Sequence, residues 1–537
     1  MLSTYTYPKF AYRRPAELDR AGKGDRHPVV VVGAGPIGLA AAIDLAMQGQ
    51  RVLLLDDDDT VSVGSRGLCY AKRALEILDR LGCGDAVVDK GVTWNVGRTF
   101  FGRDEVFRFN LQPEAEHHRP GMVNLQQYYL EEFLVRRAEQ LPNLELRWKH
   151  KVTGVTPQGD GARLQVETAD GTYALEADWL IVADGARSPI RRQLGLDIDG
   201  QVFPDRFLIA DVVLGAEPFG AGRAERRFWF DPVFHDGGSA LMHRQADRVW
   251  RLDFQLGPDA DPEREKQPER VAPRVRAALD AQGLAYLGFE LEWCSVYSFQ
   301  CRRMARFRHG RLLFVGDAAH QVSPFGARGA NSGIQDADNL MWKLDLVLRG
   351  QAPEALLDSY DAERGFAADE NLRHSTRSTD FMTPRTHASR VLREAVLTLA
   401  AEHPFARTLV NSGRLSVPAT LADSPLNTPD AEAFEGWMVP GAPADDAPLP
   451  GGGWLLAQLP PGFVLLWFAQ EGAAAPPAPV PVVHLPTQGL AAQRFGAREG
   501  SCVLLRPDQH VAARWHAFQP GRLHAALARA MAQEPTP

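Results

Sequence analysis

Residues 29–32 are four consecutive valines, the pattern of a short strand buried on both faces of a parallel sheet. Gly33-Ala34-Gly35-Pro36-Ile37-Gly38 follows, then an alanine- and leucine-rich stretch that keeps helical character to Gly49. A second apolar run, residues 52–55, ends at Asp56. Strand, glycine turn, helix and strand in this order predict a βαβ unit. Residues 29–47 are apolar enough to suggest a membrane span. Three glycines, Pro36 and the charge on Asp44 argue instead for a buried strand, a tight turn and a buried helix.

The pattern changes between about residues 195 and 300. Apolar and polar positions alternate there, as in Val249-Trp250-Arg251-Leu252-Asp253-Phe254, which predicts an antiparallel sheet with one covered face. Strand-plus-helix character returns at residues 311–315 and 331–348, so the first α/β unit is expected to be discontinuous, with the sheet lobe inserted. After about Pro425 the chain turns Pro/Gly/Ala-rich at residues 440–453 and 472–486, the composition of linkers or long loops. Apolar runs at 463–468 and 502–506 and a helix around 521–531 predict a small α/β domain. The expected layout is a polar arm at 1–28, a discontinuous α/β domain at 29–194 and 301–400, a sheet lobe at 195–300, a linker or helical segment at 401–450, and a terminal domain at 451–537.

Composition narrows the classes. The 537 residues, 45% apolar and 23% charged, describe a globular protein of two or three domains. A net charge of −8 offers no footprint for nucleic acid. Five cysteines, with no C-x-x-C pair and no metal-type spacing, suit a reducing compartment, and a cytoplasmic, metal-free protein is expected. The first 27 residues lack the apolar core of a signal peptide.

The glycine turn has a chemical reading. Gly33 permits the tight turn, Gly35 lets backbone approach a pyrophosphate, and Gly38 lets helix and strand pack closely. The helix N-terminus offers N–H groups to phosphates, and Asp56 is placed to accept ribose hydroxyls. This context predicts an adenine dinucleotide without separating NAD from FAD. Two further strands end in acidic turns: residues 178–185 (DWLIVADG), with Ser188 and Arg191 after them, and residues 310–320 (GRLLFVGDAAH). Read alone, Asp184 and Asp317 suit capping of those turns equally well. His320 reads as a structural histidine.

In this order the three motifs resemble the flavin-dependent aromatic hydroxylases, the para-hydroxybenzoate hydroxylase, phenol hydroxylase and 3-(3-hydroxyphenyl)propionate hydroxylase type, over roughly residues 29–365. The resemblance implies a Rossmann-like FAD-binding domain (GR2-type), an inserted antiparallel-sheet substrate lobe and a C-terminal thioredoxin-like α/β domain. It implies FAD as cofactor, NADH or NADPH as co-substrate, and O2 and a small phenol as reactants, with oxygen transferred from a flavin C4a-hydroperoxide. Carried over, it assigns Asp317 to the ribityl chain and Asp184 to the motif that serves FAD and the nicotinamide donor. Arg66 would lie near the pyrophosphate, and Gln127 would contact the flavin side chain. Pro324 would line the reacting face, and the N–H groups of Gly329, Ala330 and Asn331 would face flavin N1 and O2. A helix N-terminus suits that place, because reduced flavin is anionic. The terminal domain has Cys502 alone and no C-x-x-C, which leaves it a packing or dimerisation role, hence a homodimer.

Residues 240–256 can be laid without gaps on the substrate hairpin of the para-hydroxybenzoate enzyme. Arg251 then matches an arginine associated with flavin movement. His243, Gln245 and Asp253 replace the residues that hold a substrate carboxylate there, which disfavours 4-hydroxybenzoate, although Arg244 is adjacent. His235, His243 and Tyr297 are the candidates for assisting phenol ionisation. Trp229, Phe234, Trp293 and Phe299 would either wall an aromatic pocket or form core. A flavin-dependent halogenase and a non-catalytic aromatic-binding flavoprotein are the alternative readings.

Overall fold

The computed structural model describes residues 2–20, 25–112, 114–219, 224–236, 238–410 and 417–533. Parts of the N-terminal arm, of the 401–450 segment and of the extreme C-terminus lie outside those residues. The fold is mixed α/β. Its first sheet runs Arg308–His309, Leu312–Phe314, Gly171–Val182, Arg26–Val32, Val52–Asp56 and Leu144–Trp148 in spatial order. Four of these five pairings are parallel, with Val30 set between Leu180 and Leu53; only Arg308–His309 runs antiparallel to its neighbour. Parallel strands covered on both sides need apolar residues at every position, and residues 29–31 are fully buried. The Pro36–Met47 helix crosses over this sheet and packs against the Gly329–Leu348 helix.

The second sheet has eight strands and is antiparallel except for one pair. Its order is His320–Gln321, Phe289–Arg303, Asp199–Leu214, Val249–Leu256, Ala240–Arg244, Arg226–Phe230, Val96–Phe101 and Asp104–Asn110. The lobe expected at 195–300 therefore also takes in residues 96–110 from inside the first domain. On its far face Leu208, Ala210, Leu252, Phe254, Met242 and Trp229 pack with Val271, Val275 and Leu279 of the Pro268–Asp280 helix. Alternation sends the intervening side chains to the near face, toward the first domain.

The C-terminal sheet runs Val482–Leu485, Val464–Phe468, Cys502–Leu505 and Val511–Trp515. Leu466 and Phe468 pack against Phe495 on one face, Leu465 and Trp467 against Leu523 and Leu527 on the other, so each face has its helix. The segment expected to be a linker is part of this unit: Met438, Ala442 and Ala447 are buried in its core, and Gly441 N–H donates to the Val511 carbonyl. Alanine and glycine were read as loop composition there, whereas close approach to the sheet requires small residues. All five cysteines are free. No helix among the described residues is long and apolar enough to cross a membrane.

Candidate active site

The glycine turn shows directly which of its glycines serve protein packing. A Cβ on Gly33 (φ +106°) would lie 2.4 Å from the Ala183 carbonyl oxygen, and one on Gly38 would lie 1.9 Å from that of Gly33. A Cβ on Gly35 would meet nothing within 4 Å. Gly35 is thus small without a protein reason, at the N-cap of the Pro36–Met47 helix, where a pyrophosphate is expected. Asp56 accepts from Ala34 N–H (2.5 Å) and Asp58 N–H (2.8 Å), and burial pushes it up to about 6.

The other acidic turns differ from each other. Ser188 caps the Pro189–Gln193 helix, and Asp184 supports it by accepting from Ile190 N–H (3.1 Å), while its second oxygen is buried without a partner. Arg191 joins this turn to the next, donating to the Ala318 carbonyl (2.6 Å). Among the described residues the Asp317 carboxylate has no hydrogen-bond partner. It is exposed at its turn yet crowded enough that burial raises it, against the charges of His320 and Arg66. His320 is structural: its Nε2 lies 2.6 Å from Asp336, which Arg364 also binds at 2.7 Å. These features fit a dinucleotide, because the open glycine, the free carboxylate and the orphaned Asp184 oxygen all lack protein partners.

Around this cradle the loop at 57–68 is fastened from several sides. Gln127 accepts from Gly67 N–H (2.8 Å) and donates to Glu131 (2.7 Å). Arg66 is exposed. The N-terminal arm straps the loop: Tyr7 accepts from Gly64 N–H (2.9 Å), Thr60 donates to the Pro8 carbonyl (2.6 Å), and Tyr5 stacks on Tyr128 at 4.1 Å. The arm then reaches the sheet lobe, where Ser3 and Thr4 both donate to Glu292. Pro324 is exposed, followed by Gly326 and Ala327 in left-handed conformations (φ +119° and +51°). Gly329, Ala330 and Asn331 open the Gly329–Leu348 helix, and the Asn331 amide holds Cys69 O and Ala71 N–H (both 2.8 Å).

The near face of the lobe closes the site from the opposite side. Phe207 and Phe299 reach Phe325 at 5.1 and 4.6 Å between ring centres, and Tyr297 lies 4.9 Å from Phe299. One cross-strand row reads His243, Arg251, Asp211, Trp293, with Arg226 next to it because Arg227 pairs with Met242; the next reads Phe228, Leu241, Asp253, Ile209, Ser295. Arg251 is fully committed: it makes a two-pronged bond to Asp211 (2.8 Å twice) and donates to the Ser65 carbonyl (2.6 Å), tying lobe to loop. Gln245 also donates to Asp211 (2.8 Å), and Arg244 pairs with Glu217 (2.9 Å). His235 is not brought to His243 and Tyr297; it packs on Phe254, on the helix-covered face, with Nε2 2.6 Å from the Gln255 carbonyl. Trp229 and Phe234 pack with that same core, whereas Trp293 and Phe299 face the site.

Three polar atoms of the near face are buried without partners, His243 Nε2, Asp253 Oδ1 and Gln245 Oε1. Burial pushes Asp253 up to about 7 and His243 well below its ordinary value. The tautomer of His243 follows from its neighbours. Trp94 Nε1–H, which can only donate, lies 2.8 Å from Asn124 Oδ1, which also accepts from Cys69. The Asn124 amide nitrogen therefore faces His243 Nδ1 (3.4 Å) and must donate to it, which leaves the proton on Nε2. Arg226, next to His243, was not anticipated. Its signal was the alternation Arg226-Phe228-Phe230, which puts a cation in register with two near-face aromatics.

A dinucleotide cradle facing an aromatic and polar sheet face fits a flavoprotein that acts on an aromatic ring. The chain belongs to the FAD binding domain family, which matches residues 26–375. It is 31% identical over 529 residues to 6-methylpretetramide 4-monooxygenase of Streptomyces rimosus, covering 92% of this chain and 91% of that protein. It is 29% identical over 382 residues to 3-(3-hydroxy-phenyl)propionate/3-hydroxycinnamic acid hydroxylase of Mycolicibacterium smegmatis, covering 71% of this chain and 66% of that one, just under two thirds. The flavin-dependent monooxygenase PieE, solved with FAD and substrate, shares the fold with a TM-score of 0.77 over 96% of this chain and 100% of its own, at 22% identity. Both sequence relatives are named for hydroxylation or monooxygenation, which supports the hydroxylase reading over the halogenase one.

Proposed function

We propose that this protein hydroxylates a phenolic ring held between the Ser323–Asn331 loop and the near face of the inserted sheet, with NADH or NADPH as reductant. The observation that carries the reading is the pair of unpartnered buried atoms, His243 Nε2 and Asp253 Oδ1, on a face otherwise lined by Phe207, Phe299 and Phe325. Native interiors rarely leave such atoms unpaired, and a ring hydroxyl would satisfy both. Bound FAD supplies the activated oxygen. Held by Gly33, Gly35, Gly38, Asp56, Asp184 and Asp317, it would present its ring to Pro324 and to the N–H groups of Gly329, Ala330 and Asn331.

The chain's own residues do the rest. Arg251 holds the lobe to the loop at 57–68, and the three phenylalanines exclude water and orient the ring. The relative that spans 92% of the chain is named for 6-methylpretetramide, not for a benzoate, which favours a substrate other than 4-hydroxybenzoate. A cytoplasmic homodimer, with the C-terminal unit in a packing role, completes the proposal.

The test is NAD(P)H consumption and product analysis with a panel of neutral and acidic phenols. Stoichiometric hydroxylated product supports the reading. Flavin binding with no turnover of any phenol would leave the non-catalytic flavoprotein instead.

A further inference from the structure

We propose that Asp253 is the base that removes the phenolic proton, and that Arg226 and the Nε2–H of His243 hold the phenolate that results. This rests on the hydroxylase reading above and names the groups that ionise the substrate.

The near-face row carries two guanidinium groups. Arg251 is neutralised by Asp211 and capped by the Ser65 carbonyl. Arg226, next along from His243, has no carboxylate within ion-pair distance among the described residues, and its guanidinium carbon lies 6.0 Å from the Trp94 ring centre. It is the cation available to an incoming anion. His243 is a donor, because its Nδ1 is taken by the Asn124 amide and its Nε2 carries the proton. A ring nitrogen so occupied cannot accept a proton from the substrate.

Asp253 sits one row away and diagonal to His243, since His243 faces Arg251 and Leu241 faces Asp253. Diagonal neighbours across an antiparallel pair are about 7–8 Å apart, room for one oxygen bonded from both sides. The charged and titratable groups around Asp253 are Arg251 on its own strand, Asp211, Arg226, His243, Tyr297 and Cys69 from the elements packed against it. Burial and Asp211 raise Asp253 while Arg251 and Arg226 lower it, leaving it at about 7. Tyr297 is raised well above its ordinary value by burial and stays neutral. Asp211 is already bonded by Arg251 and Gln245, so the bare Oδ1 of Asp253 is the oxygen placed to take the proton.

The step balances within the pocket. The phenol O–H bond breaks, its proton goes to Asp253 Oδ1, and the electron pair stays on the ring oxygen. One negative charge moves from the carboxylate toward Arg226, and the ring becomes electron-rich, as electrophilic oxygen transfer requires.

The FAD-loaded enzyme tests this in two ways. First, kcat/KM is measured against pH for two phenols of different acidity. Wild type should show an acid limb at the same pH for both, whereas in Asp253→Asn the limb should follow each phenol's own ionisation. Second, 4-nitrophenol, whose phenolate absorbs visible light, reports its bound ionisation state. Wild type should bind it as the phenolate. Arg226→Met should bind it at least tenfold more weakly and as the neutral phenol, with flavin content unchanged. An unchanged limb in Asp253→Asn, or an unchanged phenolate band in Arg226→Met, overturns the proposal while the hydroxylase reading stands. If wild type turns over no phenol, the hydroxylase reading falls first.

Discussion

Two clusters of buried charge lie in this molecule, and they are built on opposite rules. Where the C-terminal unit meets the first domain, Lys343, Glu363, Arg506 and Asp508 have fully buried side chains. Glu363 accepts from Lys343 (2.7 Å), Arg506 and Asn339 (2.6 Å), while Arg506 also binds Asp508 (2.9 Å through Nε). Every charge has an opposite neighbour, and Arg506 and Lys343 hold Glu363 far below its usual range against burial. On the near face of the inserted sheet, Asp253 is half-buried, with one buried oxygen bare, and its carboxyl is driven up instead. Burial of charge does not by itself mark a site. Asp253 differs in where its bare oxygen lies, on the aromatic face of the lobe, where a ring hydroxyl would satisfy it.

The largest break in that contrast should come from Glu363→Ala. Removing the shared carboxylate takes its counter-charge from two buried cations, Lys343 and Arg506, and stability should fall by about 3–5 kcal/mol, read by denaturant unfolding. Next is Arg251→Lys, which tests a residue of the first kind placed at the second site. An ammonium cannot keep both the paired bonds to Asp211 and the one to Ser65, so stability should drop by about 1–3 kcal/mol. Flavin reduction by NAD(P)H with phenol present should also slow, measured by stopped flow.

The pH dependence separates the clusters by sign. Glu363 is depressed in the fold, so its stabilisation is present above its unfolded value of about 4.3 and is lost as pH falls toward the folded one. Asp253 is raised, so the fold binds the extra proton between about 4 and 7, and wild-type stability should decline as pH climbs through that window. Asp253→Asn should lack this decline, gaining on wild type from pH 4 to pH 7; equal slopes would count against a buried, unpaired carboxylate. The smallest effect should be Arg244→Ala. Its bond to Glu217 is partly exposed, and stability should change by less than about 1 kcal/mol with phenol affinity unchanged.

What could be read from the chain follows the distance over which each feature is assembled. Gly33, Gly35, Gly38 and Asp56 lie within 24 consecutive residues, and local pattern alone placed strand, turn and helix around them. Alternation around Arg251 and Asp253 gave the two faces of that strand, but not its neighbours. Arg226 beside His243, or Asp211 beside Arg251, depends on strand order, which residues 96–110 alter by joining the sheet from outside the expected lobe. Arg244 was adjacent in sequence and therefore suggested itself; a one-residue step along a strand points it the other way. The arm at 1–28 was polar overall, and nothing local told Tyr5 and Tyr7 that Tyr128 and Gly64 were waiting.

That arm has a consequence in time. Ser3 and Glu292 are separated by 289 positions, so at about 5–20 residues per second the ribosome finishes the second roughly 15–60 s after the first. Throughout that interval the arm's tyrosines and the loop it will strap exist without the strand that anchors the far end. The βαβ unit at 26–56 and its neighbour strand Gly171–Val182 are already synthesised in that interval, while the seam between arm and lobe is still open. Slowing translation within residues 200–290 should therefore lengthen the period in which nascent chains are cleaved within residues 2–12 by added protease, leaving the βαβ unit protected.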